Sequence, residues 1–530
     1  MRLVFLLISL GLCWPDSHGQ DPELYMVFFD EKPAEAFDPF AYLDPRAIER
    51  RAAQGLPICD WYDLPLNESY VSSISGRVDS LRYSLRWFNA VSVAATSAQI
   101  KDIQKLPFVR EVHPLGAPQT ALAEVSTPLL ADRNLDTLLS MQRDLMHLDT
   151  LLHMGLTGRG VRVAVFDAGF QEADVHPSLR PTFLANKVIA TKNFYSPRAS
   201  TVYHHSRHGT QVMSCIAGYY EDRQIGAAPD VEFLLARVEH KWWEFSREED
   251  HWLAAAEWAD RMGASLINAS LTYVRDNYGY VGATGRMPLV SKAAKIATEK
   301  GMLVINSMGN DGLDRYPHIG APAEVAEVLS VGGSLPMLRE KIPFSTPGPN
   351  PDGLVKPDIS APGFVVGADK YERYSELAGT SFAAPMVTGV AACLLQQDPT
   401  LSPSELHSRL RQGGHYFPYY DYDLGYGVLD IGKLLEKSGN PDGVEYEVYF
   451  RSDSVILAFD SRAMVADSMA HPYGRMLYFH LAKEDGLVLS SQAVRIPNSA
   501  QYYYFRRRLK QKGYLRIWFE GTYREIWLEE

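Results

Sequence analysis

Three polar side chains in this sequence occupy local settings suited to nucleophilic catalysis. Ser381 lies in Gly379-Thr380-Ser381-Phe382-Ala383-Ala384-Pro385, directly before the apolar run Met386 to Leu395. A serine nucleophile needs a base within hydrogen-bond reach and donors aimed at the oxyanion that forms on attack. A helix start supplies such donors, because its first N–H groups have no intrahelical partner and the helix dipole favours negative charge. Pro385 is read as a first-turn proline, where a missing N–H costs nothing. His208-Gly209-Thr210 opens a second helical stretch, and Asp167-Ala168-Gly169 closes a β-branched apolar strand. Each residue also has a plain structural reading: Ser381 as an ordinary helix cap, Asp167 as a strand-end cap, and Asn310-Asp311-Gly312 as a turn. His204, His205 and His208 could be taken for a metal cluster, but no carboxylate at ligand spacing accompanies them, and no metal site is assigned.

These residues must be carried by a large α/β layer. Over about 145–438, apolar strands alternate with helices: Val161 to Phe166, His208 to Ala217, Val231 to Val238, Glu248 to Met262, Ser265 to Asn268, Pro288 to Lys300 and Met302 to Asn306. Nearly continuous apolar strands joined by helices predict a parallel sheet covered on both faces, with chemistry at the carboxyl ends of the strands. Before it, residues 20–123 read as a small α/β unit, with strands at Tyr25 to Phe29, Asn89 to Ala95 and Phe108 to Val112 and a helix over Ser97 to Leu106. Residues 124–144 read as a connector. After the turn-rich Gly439 to Gly443, residues 444–530 carry short alternating segments that predict an all-β sandwich.

The order Asp167, His208, Ser381, with the motifs around them, resembles the subtilisin-like (subtilase) family of serine proteases. The likeness runs over about Leu145 to Leu435. It includes Thr157-Gly158-Arg159-Gly160-Val161, Ile225-Gly226-Ala227-Ala228-Pro229, Ile267-Asn268-Ala269-Ser270-Leu271, Met308-Gly309-Asn310, Lys356-Pro357-Asp358, Ala361-Pro362-Gly363 and Gly425-Tyr426-Gly427. The resemblance implies Ser381 as nucleophile, His208 as general base and acid, Asp167 as the group orienting the imidazole, and Asn310 with the Ser381 N–H as the oxyanion hole. It implies Ser270, Leu271, Thr272 and Gly309 as substrate-binding residues, with protein or peptide chains as substrates. Three positions depart from the family pattern: Ala168 where Ser or Thr is usual, Thr272 where Gly is usual, and Met308 where Ala is usual. Calcium sites are frequent in the family, but no diagnostic acidic loop stands out in this sequence and no cofactor is assigned.

The flanks fit the same resemblance. Residues 20–123 resemble a subtilase propeptide acting as intramolecular inhibitor and foldase, and Ala52 to Tyr70 with Arg86 to Val91 resemble propeptides of the Bacteroidetes group. Such proteins often end in a β-sandwich read by a type IX secretion apparatus, and Gly513 to Trp518 suits a strand of one. Arg2 followed by the apolar run Leu3 to Cys13 predicts an export signal over residues 1–19, hence a secreted or cell-surface protein. The 530 residues carry 52 basic and 64 acidic side chains, a formal charge of -12, which argues against a nucleic-acid partner. Four cysteines exclude a disulfide framework in a chain of this size. Cys215 and Cys393 read as buried thiols, their pairing left open. Two other classes fit less well: a catalytically silent adhesion protein, against which the intact triad stands, and an α/β-hydrolase, whose Gly-x-Ser-x-Gly elbow is missing here and whose triad order differs.

Overall fold

In the computed structural model, the four apolar runs read as strands in the middle region join three further strands, Val188–Asn193, Leu329–Ser334 and Ile359–Pro362, in one seven-stranded parallel sheet. Their spatial order is Ile359–Pro362, Leu329–Ser334, Leu303–Ser307, Leu266–Ala269, Arg162–Asp167, Glu232–Arg237 and Val188–Asn193. The described residues are 22–33, 37–115, 134–199, 201–239, 249–273, 287–314, 317–435, 445–451, 454–460, 464, 474–506 and 512–529. The predicted signal, the first part of the connector (124–133) and the Gly439–Gly443 turn lie outside them.

Every pairing in the large sheet is parallel, and Phe166 stands opposite Ala269, itself opposite Asn306. The carboxyl ends of these three strands therefore align. From the strand Arg162–Asp167 the chain first fills one side of the sheet, then crosses to Leu266–Ala269 on the other. That reversal is a topological switch point, where open α/β sheets place their clefts. The helix Thr380–Gln397 is buried except at Ser381, Gln396 and Gln397, as expected of a helix that is apolar all round. Its small side chains let it pack against the helix His208–Ala217 and the strands beneath it. The segment read as connector ends in a helix, Leu135–Met146, whose Leu138 and Leu139 are fully buried beside Ile225 and Val366. Its Gln142 accepts a 2.7 Å hydrogen bond from the Val366 N–H, so this part of the chain belongs to the packed body.

The N-terminal unit comprises the described residues up to 33 and 64–115. Its antiparallel sheet has the order Ser80–Leu85, Ala90–Ala95, Glu23–Phe29, Val109–Pro114, with helices Glu68–Ser75 and Ser97–Ile103 between strands. This is the β-α-β-β-α-β arrangement. Thr96 and Gln99 close a reciprocal capping box on the second helix. Residues 37–63 pack with the α/β body instead, although they fall within this unit along the chain.

The C-terminal region forms two antiparallel sheets, Tyr446–Arg451, Ser454–Phe459, Tyr502–Arg506 and Val488–Ile496, Arg475–Lys483, Gly513–Phe519, Thr522–Leu528. They share one apolar core that includes Val455, Leu477, Leu515 and Phe519. Sequence reading missed Val488–Ile496, a mostly exposed strand whose polar run hides its alternation.

An aromatic seam joins this module to the α/β body. Tyr416, Tyr419 and Leu424 pack against Tyr478 and Trp518, and the Tyr420 hydroxyl donates to the Gly486 carbonyl at 3.0 Å. Two histidines are buried along the seam. His415 Nδ1 accepts from the Val428 N–H at 2.7 Å, and the His480 ring lies 4.8 Å from that of Tyr419. Burial depresses both, His415 well below its ordinary value and His480 to about 3. Below about pH 6.5 the unfolded chain binds a proton at His480 that the folded chain refuses until about pH 3, so stability falls as the solution is acidified. The cost reaches about 3 kcal/mol at pH 4. His480→Phe keeps the ring and removes the titration. Its melting temperature relative to wild type is expected to rise steadily from pH 7 to pH 4, and a pH-independent difference would contradict this.

Candidate active site

Asp167 ends its strand fully buried, with one carboxylate oxygen accepting the Ala168 N–H at 2.7 Å. The other oxygen lies 2.8 Å from His208 Nδ1. Two glycines allow this approach. The Gly209 N–H donates to the Gly169 carbonyl at 3.0 Å, and a Cβ on Gly209 would overlap the Phe170 ring at 2.7 Å. A Cβ on Gly169 would meet the backbone of residues 204 and 206 at 2.8 Å. The Asp-Ala-Gly and His-Gly-Thr motifs are thus two halves of one tight backbone contact. Thr210 adds a hydrogen bond to the Gln171 carbonyl at 2.8 Å, and buried Arg237 donates to the Ala168 carbonyl at 2.9 Å. Arg237 carried no sequence signal of its own.

Ser381 is the second residue of its helix, and the ring of Phe382 lies 5.4 Å from that of His208. Pro385 is the sixth helical residue, so it stands inside the helix and not in the first turn. Its missing N–H would have bonded the Ser381 carbonyl four residues back. That carbonyl instead accepts the Ser270 hydroxyl at 2.8 Å, and the Ser381 hydroxyl lies 3.4 Å from the Ser270 carbonyl. The proline frees an acceptor that ties the helix start to the end of a sheet strand.

Asn310 follows the strand Leu303–Ser307 at the same sheet edge. Its Oδ1 accepts from the Thr380 N–H at 3.1 Å and lies 3.0 Å from the Thr380 hydroxyl. The backbone N–H that donates to that atom assigns it as the oxygen and turns Nδ2 away from Thr380. A Cβ on Gly379 would stand 3.7 Å from Nδ2, so glycine leaves that space open. Gly309, with φ of 103°, donates to Thr380 Oγ1 at 3.3 Å. Thr380 is therefore the unrecognised member of the site, holding both the amide and the loop.

Ser270, Leu271 and Thr272 follow the strand Leu266–Ala269 and are buried, and Tyr273 then forms an antiparallel bridge with Ala321. Thr272 Oγ1 lies 4.0 Å from the place a Cβ on Gly309 would take, so these two candidate substrate-binding residues are neighbours. Met308 is fully buried. Next to Asn310, burial and Asp314 push the Asp311 carboxyl up to about 6. His204 and His205 are exposed, and among the described residues no group of three metal-binding side chains forms. Cys215 and Cys393 are free and buried, their thiols pushed up to about 12 by desolvation. They are not bridged, and such thiols are inert.

The subtilase family model matches residues 158–427. The chain belongs to the subtilase family. A model of the Bacteroidota peptidase S8 propeptide domain matches residues 24–126. The probable subtilase-type serine protease of Deinococcus radiodurans is 26% identical over 62% of this chain and 47% of its own length. The chain thus spans about half the length of that relative. The major intracellular serine protease of Bacillus subtilis is 29% identical over 48% of this chain and 76% of its own. Among solved structures, fervidolysin from Fervidobacterium pennivorans, described as a keratinolytic enzyme related to subtilisin, shares the fold with a TM-score of 0.54. It is 19% identical, over 94% of this chain and 70% of its own. The epidermin leader peptide processing serine protease of Staphylococcus aureus gives a TM-score of 0.55 at 17% identity, over 79% and 100%. These neighbours match the subtilisin-like parallel sheet, and fervidolysin's coverage extends over the N-terminal unit and the C-terminal strands as well.

Proposed function

We propose that this subtilase is a secreted serine endopeptidase acting through an acyl-enzyme intermediate. His208 Nε2 takes the proton of Ser381 as its Oγ attacks the scissile carbonyl. Asp167 holds the imidazole by Nδ1 and stabilises the imidazolium. The tetrahedral oxyanion is received by Asn310 Nδ2 and the Ser381 N–H at the positive end of the helix. His208 then protonates the leaving amine, the C–N bond breaks, and water repeats the sequence to release the acid. Ser270, Leu271, Thr272 and Gly309 border the bound peptide, which an edge of extended backbone would align by main-chain hydrogen bonds.

The observation that carries this reading is the 2.8 Å contact of His208 with a fully buried Asp167. Such a carboxylate, with one oxygen spent on the Ala168 N–H, is placed to fix one tautomer of the ring. The reading of residues 20–123 as an inhibitory propeptide is supported by the family model over residues 24–126 and by the fold of the N-terminal unit. Export rests on Arg2 and the run Leu3 to Cys13, and a secretion-apparatus partner for the C-terminal module on Gly513 to Trp518. Incubation of the processed protein with casein tests the activity. Internal cuts with new amino termini are expected, and intact casein after removal of the N-terminal segment would refute the endopeptidase reading.

A further inference from the structure

The helix Pro45–Ala53 ends in Arg50 and Arg51, whose side chains are 4% and 1% exposed. Arg50 reaches the carboxyl ends of two helices of the α/β body, Glu249–Arg261 and Leu289–Glu299, and Arg51 reaches the first of them. Arg50 donates to the carbonyls of Lys300, at 3.2 Å, and Ala264, and pairs with Asp260. Arg51 reaches the other Asp260 oxygen at 2.7 Å and grips Asp63 with both nitrogens at 2.9 and 3.0 Å. Lys300, 2% exposed, closes the cluster on Asp60 at 2.5 Å and Asp63 at 2.7 Å. Three cations and three carboxylates balance, each with several hydrogen bonds. Burial without that balance costs far more than the pairs return.

The receiving surface is shaped for this segment. Gly263 has φ of 75°, and a Cβ there would stand 2.5 Å from Arg46 Cβ and 2.8 Å from the Ala47 nitrogen. Gln54 donates to the Gly301 carbonyl at 3.1 Å, and the Asp44 N–H to the Arg261 carbonyl at 2.9 Å. Yet residues 37–63 fall inside the 24–126 stretch that the propeptide model matches. One stretch of that sequence is therefore built into the peptidase body.

We propose that residues 37–63 are an ionic clamp that keeps the N-terminal segment bound after the chain is cut in the connector. The occupant of the Asp260–Lys300 surface is this segment of the same chain. The inference rests on the propeptide reading, but its test needs no catalysis, so it can fail while the peptidase reading stands.

A specific protease site placed in the 124–133 stretch of full-length Ser381→Ala protein allows the cut to be made in trans. With the clamp intact, the N-terminal fragment is expected to co-elute with the body on size exclusion. The added changes Arg50→Met and Arg51→Met leave Asp260 without its guanidinium partners and should speed fragment release at least about 10²-fold. Arg51→Lys keeps the charge but loses the fork, and should give an intermediate rate even where the double variant yields no folded protein. Equal release rates for the parent and Arg51→Lys, or a parent fragment that separates at once, would overturn the proposal.

Discussion

Ser381→Ala is expected to lower turnover on a peptide substrate by about 10⁶, the scale on which subtilisins themselves lose activity when the triad serine is removed. The figure is carried over from that family. Ser381 alone among the first fifteen residues of an otherwise buried helix keeps some exposure, and its own carbonyl is locked by Ser270. Alanine at that position leaves the Ser381 carbonyl bond and the helix untouched, so the fold should survive. The variant is also expected to accumulate with residues 20–123 still attached. Denaturing gels and the amino terminus of the purified protein check this. Normal processing with lost activity would assign maturation to another protease, whereas retained activity would remove Ser381 from the reaction.

Asn310→Ala is expected to lower kcat by about 10² to 10³ with KM changed by less than about twofold, again a magnitude known from subtilisin's oxyanion asparagine. An interaction that exists only when the carbonyl becomes an oxyanion affects turnover and not ground-state binding. Here the amide is preorganised, because Thr380 occupies Oδ1 with its N–H and approaches it with its hydroxyl. Asn310→Asp keeps that acceptor but turns the donor into a charge that repels the oxyanion. It should be at least as impaired as the alanine variant. Steady-state kinetics with one chromogenic peptide decides the matter, and a loss confined to KM would place Asn310 in substrate binding instead.

The site was legible because its parts are local. Asp-Ala-Gly, His-Gly-Thr and Gly-Thr-Ser each encode a backbone shape, and the shapes interlock through Gly169 and Gly209. The apolar runs that predicted the sheet end within a residue or two of the observed strands, and the helix His208–Ala217 falls as expected. What escaped depends on contacts distant along the chain. Pro385 looked like a first-turn proline, and only the position of Ser270 shows what its missing N–H leaves free. Thr380 was visible in its motif, but its grip on Asn310 joins residues 70 apart. Arg50 and Arg51 look like the solvated end of a charged helix until Asp260, Asp63 and Lys300 close around them. Hydrophobic periodicity cannot find a buried charge whose partners lie some 210 residues away.

The central claim is that Ser381 is a nucleophile activated by the His208–Asp167 pair. Labelling the processed protein with a fluorophosphonate, followed by mapping of the adduct by mass spectrometry, tests it most directly. The account predicts one adduct, on Ser381, formed rapidly in wild type and far more slowly in His208→Ala. An adduct on a different serine, or none once the N-terminal segment has been removed, would contradict it.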